Sequence, residues 1–124
     1  MSILLNCLYV GLGGFFGAVA RYALRLLLGI FFVNVSFPLI TLLVNILGSF
    51  LIGMFAGSHN GERFAAPVML FVTVGFLSSF TTFSTFSLDS VKMLLEARFF
   101  AVFSYVFLSV LLCVFAAYLG LKVK

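Results

Sequence analysis

Charge is scarce in this sequence. Only 8% of its 124 residues are Asp, Glu, Lys or Arg, where soluble domains carry about a quarter. Three acidic residues and one histidine cannot supply paired carboxylates, a Ser-His-Asp set or a metal-ligand cluster, so the inventory argues against an enzyme. The lone His59 sits beside Asn60 and Gly61 with no partner ligands. Seven basic residues give a net charge of +4, but they are scattered singly. That pattern argues against nucleic acid and for anchors at a membrane interface. Cysteine is scarce as well. Cys7 and Cys113 lie in apolar runs without CxxC spacing and read as packed free thiols, with a disulfide as the open alternative.

What fills the space is apolar. Hydrophobic residues make up 65% of the chain, far more than a soluble fold of this size can bury, so the surplus must face a lipid bilayer. A membrane helix needs about 20 mostly apolar residues to cross roughly 30 Å of hydrocarbon. The chain offers four such stretches in one domain over residues 1–124, with spans at roughly 3–31, 37–57, 65–95 and 99–121. Asn34 to Pro38 interrupts the first two, because proline disfavours helix at the residue before it. The polar run from Ser58 to Arg63 separates the second and third. Lys92, Glu96 and Arg98 mark the next interface, and Lys122 and Lys124 close the last span. The N-terminus lacks a basic leader and a small-residue cleavage site, so the first apolar run reads as a span and not as a signal peptide. The expected fold is all-α and membrane-integral.

The third span is unusual. Of the sixteen residues from Gly75 to Ser90, nine are Ser, Thr or Asp. Hydroxyl side chains compete with the helix for backbone hydrogen bonds, and irregular backbone within a membrane survives only where protein or water covers it. A break near Ser78 to Thr82 is expected, with carbonyl oxygens exposed at mid-span. Phe83 and Phe86, three residues apart, share a helix face, and their ring edges carry partial positive charge that an anion can meet. Hydroxyl and amide N–H groups nearby could replace part of an anion's hydration shell. With 18 phenylalanines in the chain, most simply pack or face lipid.

Other polar groups inside apolar helices are Thr41, Asn45, Ser104 and Ser109, read either as interhelical glue or as part of a polar route. Glycines 11, 13, 14 and 17 and the Ser49, Gly53, Gly57 series suit close helix packing. Gly13-Gly14 is no phosphate loop, since no strand precedes it and no lysine follows. Arg21 reads as an interface anchor whose charge could also draw anions into a vestibule. With four spans, Arg63, Lys122 and Lys124 share one side, and Arg21, Arg25, Lys92 and Arg98 the other. Three cations against four give almost no orientation bias, so insertion both ways and antiparallel self-pairing are expected to be accessible.

Three elements together resemble the Fluc (CrcB) family of fluoride channels. They are Gly13-Gly14-Phe15-Phe16-Gly17-Ala18-Val19-Ala20-Arg21-Tyr22, the stretch Pro38 to Asn45 with Thr41, and Gly75 to Ser87 with its Thr-Thr-Phe-Ser-Thr-Phe run. The resemblance covers nearly the whole chain. It implies an antiparallel dual-topology homodimer with two pores in the cytoplasmic membrane, exporting fluoride passively. Phe83 and Phe86 would be the pore phenylalanines, and Asn45, Ser84, Thr85, Ser109 and Thr41 would line the polar route. A structural sodium ion would sit at the dimer interface on the backbone carbonyls of Ser78 and Thr81. The chain departs from the family pattern at Ser78-Ser79, where Gly-Gly is usual, at Ile40 for Gly, at Asp89 for Glu, and at Cys113 for Ser. Two rival readings are a small drug/proton antiporter, which wants a carboxylate deep in a helix, and a structural partner of another membrane protein. A heterodimer of paralogues is a further arrangement that the resemblance allows.

Overall fold

The computed structural model describes residues 2–58 and 64–123; His59, Asn60, Gly61, Arg63 and Lys124 lie outside them. All the regular structure described is helical. The first span is α1 (Ile3–Phe31), opened by Ser2, whose hydroxyl accepts from the Leu5 N–H at 3.2 Å. Pro38 precedes the second, α2 (Leu39–Ser58). The third span, Ala66–Leu95, is composite. It begins as α3 (Ala66–Met69), widens into a π-helical segment (Leu70–Leu77), and ends its first half as α4 (Ser78–Phe80). After two extended residues it resumes as α5 (Phe83–Leu95). The fourth is α6 (Phe99–Lys122). Each span is long and apolar enough to cross a membrane, and at most 28% of any of them is buried within one copy. The protein is therefore a multi-pass membrane protein.

Two seams hold the bundle. In one, α1 lies against the π segment: a Cβ on Gly13 would strike the Phe71 carbonyl, and one on Gly17 the Phe76 carbonyl. Four residues along α1 are thus matched by five along the third span, which is what a wider, shorter-rising π turn provides. In the other, Gly53 meets Ala117 and Gly57 meets Leu121. Both numbers rise together, so α2 and α6 run parallel in close backbone contact. Gly11 has open space beside it and belongs to neither seam.

A small apolar core of Leu42, Met93, Val102 and Tyr105 joins α2, α5 and α6 near one end. There α5 stops in a left-handed turn: Ala97 has φ 55, its N–H donates to the Leu94 carbonyl, and the Arg98 N–H donates to the Met93 carbonyl. Arg98 then clasps the neighbouring connection. Its guanidinium donates to the Ser36 carbonyl at 3.0 Å and the Ser36 hydroxyl at 3.3 Å, and pairs with Glu96 at 3.3 Å.

Candidate functional site at the broken third span

The third span breaks at Thr81 and Thr82, within the expected window, because both residues are extended (φ −83, ψ 158 and φ −153, ψ 123). Side chains compete for the backbone here, as the density of hydroxyls led us to expect. The Thr82 N–H, which would serve the Ser78 carbonyl in a continuous helix, donates instead to Asn45 Oδ1 at 2.9 Å. Asn45 Nδ2 donates back to the Thr82 carbonyl at 3.2 Å. The Thr85 N–H, which would serve the Thr81 carbonyl, donates instead to Thr82 Oγ1 at 3.3 Å. Ser78 and Thr81 therefore lose their helical partners to side chains. Thr81 adds its own hydroxyl to the Leu77 carbonyl at 3.0 Å.

The two ends so created have opposite polarity. Uncoupled carbonyls close the first half, a negative dipole end, and the N–H groups of Phe83 and Ser84 open α5, a positive one. Asn45 can use one amide hydrogen to hold the break and keeps a second to offer.

Beside the break lies an open groove of about 240 Å³, lined by Asn45, Ser49, Thr81, Thr82, Phe83, Phe86, Ser109, Val110 and Cys113. Phe83 is 78% exposed in the single copy, and its ring lies 5.4 Å from that of Phe86. The stack continues inward, Phe86 to Tyr105 at 5.1 Å and Tyr105 to Phe37 at 5.5 Å. Tyr105 is wholly buried, and its hydroxyl donates to Asp89 at 3.3 Å. Phe37, Thr41 and Asp89 line a second hollow of about 300 Å³ at that end of the bundle.

Of the residues singled out from sequence, the groove brings together Asn45, Phe83, Phe86, Ser109 and Thr81. Thr41 and Ser109 are the two buried polar side chains among the described residues, but Thr41 faces the second hollow. Ser84 and Thr85 sit at the start of α5, where their hydroxyls cluster with that of Thr82. Ser78 is exposed outside the groove and donates its hydroxyl to the Thr73 carbonyl. Arg21 is half-buried and lines neither hollow. Cys7 and Cys113 are free thiols.

Sequence reasoning placed Thr82 in the break but gave it no role of its own, and it missed Tyr105. The signal for Tyr105 was periodicity. Thr41, Asn45 and Ser49 recur every fourth residue on α2, as Tyr105, Ser109 and Cys113 do on α6, and the two helices run parallel. The rows face each other: Tyr105 lies against Thr41, and Cys113 against Ser49.

A multi-pass protein with a discontinuous helix, whose opposite dipole ends meet beside a groove of phenyl rings with a few hydroxyl and amide groups, is built in the manner of membrane ion sites. The comparisons with known proteins identify the family. The family model described as CrcB-like protein, Camphor Resistance (CrcB), matches residues 8–121. A protein of Shewanella loihica named fluoride-specific ion channel FluC is 38% identical, covering 93% of this chain and 92% of its own. Proteins named fluoride-specific ion channel FluC 1 are 41% identical in Halalkalibacterium halodurans, over 94% of each chain, and 42% identical in Methanosarcina acetivorans, over 91% of this chain and 86% of the relative. The chain belongs to the CrcB family. Its named relatives are channels and not enzymes.

Proposed function

We propose that this protein is a fluoride-selective channel that lets fluoride leave the cell passively across the cytoplasmic membrane. Fluoride enters as uncharged HF, dissociates near neutral pH and is trapped as the anion. A path of neutral donors then returns it down its gradient. The observation that carries this reading is the groove at the break. Hydroxyls of Thr82 and Ser109, the spare Asn45 N–H and the ring edges of Phe83 and Phe86 surround one space at the positive end of α5. Such a set replaces water around a small anion without a fixed cation to trap it. Ser84 and Thr85 extend the donors along α5, and Thr41 extends them toward the second hollow.

The working unit in this reading is an antiparallel dual-topology homodimer. Phe83, Ser84 and Ser78 are exposed midway along the span, and lipid solvates hydroxyls and broken backbone poorly. A second copy would cover them, and the near-equal charge of the two sides permits insertion either way. A heterodimer of paralogues would bury the same face. The residues at the break also fit a structural sodium ion. The carbonyls of Ser78 and Thr81 lack their helical donors, and hard oxygen ligands suit a hard cation. When bound, the ion would supply positive charge that holds carbonyl ends of two subunits together.

The test is fluoride efflux from vesicles holding the purified protein. A Phe83→Ile, Phe86→Ile double variant is expected to lose at least about tenfold in rate, the loss of some two ring-edge contacts, while still folding. Normal efflux by that variant would remove the two rings from the path.

A further inference from the structure

The second hollow, about 300 Å³ in volume, carries a set of charges with no part in the reading above. Arg25 reaches it from α1, Asp89 and Lys92 from α5, and Glu96 and Arg98 from the turn that follows. Three of the five are engaged. Arg98 is held by Glu96 and by both oxygens of Ser36. Asp89 accepts the Tyr105 hydroxyl. Arg25 and Lys92 are different. Both are exposed, and neither makes an ion pair or a hydrogen bond among the described residues. Two unengaged cations therefore approach one concave space from two helices.

A chain of rings links that space to the groove. Phe37 and Thr41 line the hollow, Phe83 and Phe86 line the groove, and buried Tyr105 packs between Phe37 and Phe86. Low-dielectric walls around a concave site focus the field of charges at its rim and raise the local concentration of counter-ions. A cation set directly in the path would hold an anion, whereas a pair at the mouth gathers anions without binding them tightly.

We propose that Arg25 and Lys92 form an electrostatic collecting mouth for small inorganic anions ahead of the groove. This rests on the fluoride-channel reading, and it gives the vestibule role to Arg25 where the sequence suggested Arg21, one helical turn away. The plainer role for each residue is interface anchoring, with Lys92 also complementing the C-terminal dipole of α5. Anchoring changes stability or insertion. It does not make conduction depend on ionic strength.

The experiment compares wild type with an Arg25→Gln, Lys92→Gln double variant, each purified and placed in vesicles of phosphatidylcholine alone. Fluoride activity is fixed while an impermeant salt raises the ionic strength. At low ionic strength, where the screening length is about 30 Å, the variant is expected to pass fluoride about threefold more slowly. The gap should close as salt shortens that length to about 3 Å at 1 M. An Arg25→Lys, Lys92→Arg variant should behave as wild type. Equal rates at low salt would overturn the proposal, as would a deficit of the same size at every salt concentration. So would a deficit that appears only when phosphatidylglycerol is added, since the cations would then act through lipid. If wild-type vesicles carry no fluoride at all, the channel reading falls and this proposal falls with it. If they carry it and only the salt-dependent gap is missing, the channel reading stands alone.

Discussion

Before its break, the third span is seated on α1 through glycines that leave no room for a side chain, and its buried residues Gly75, Leu77 and Phe80 face protein. After the break, α5 buries Met93 alone and leaves Phe83, Leu88, Val91, Leu94 and Leu95 exposed. One half is an anchor and the other a loosely held surface, and the division falls where the backbone hydrogen-bond ladder is interrupted. A membrane helix can be both rigid and chemically open if each half takes one role. What joins them is Asn45, which reaches over from α2 to satisfy both backbone groups of Thr82.

The difference can be broken most severely from the anchored side. Gly17→Leu would drive a Cβ into the backbone of Phe76, and backbone cannot move aside as a side-chain tip can. A loss of about 3 kcal/mol or more is expected, read as aggregation or absence of a monodisperse peak in detergent. Gly11→Leu, with open space beside it, serves as the control and should be tolerated. Asn45→Leu acts on the link itself. It leaves the Thr82 N–H and carbonyl unpaired in an apolar setting, at about 2 kcal/mol, and should lower the unfolding temperature and the fluoride efflux rate together. Loss of efflux with unchanged stability would mean that Asn45 serves the path and not the break. The smallest effect is expected at the far end of α5, where Ala97 adopts φ 55. Glycine accepts that conformation freely, so Ala97→Gly should stabilise by about 1 kcal/mol without altering efflux.

Much of this was legible in the sequence, for physical reasons. Four long apolar runs with charges at their ends can form little else, and a dense cluster of hydroxyls beside Phe83 marks a helix that must find other backbone partners. The three-residue spacing of Phe83 and Phe86 placed them on one face, and they share the groove. The π segment was not legible. Leu70–Leu77 reads as ordinary apolar helix, and its widening makes sense only beside the glycines of α1. Nor could the sequence show that Thr82 is the partner of Asn45, 37 residues away, or that Thr41 and Ser109 would face different hollows. Those facts depend on how α2 packs against the third span and on its register with α6, neither of which a single sequence announces. Arg21 and Arg25 illustrate the same point, since they lie one turn apart and only packing decides which reaches the hollow.

The most direct measurement is the current carried by the purified protein alone in a planar bilayer with unequal fluoride and equal chloride on its two sides. A passive path built from neutral donors at the broken span should give a current that reverses at the fluoride equilibrium potential and ignores changes in chloride. A current that reverses with the chloride or proton gradient, or no current from the single component, would contradict it.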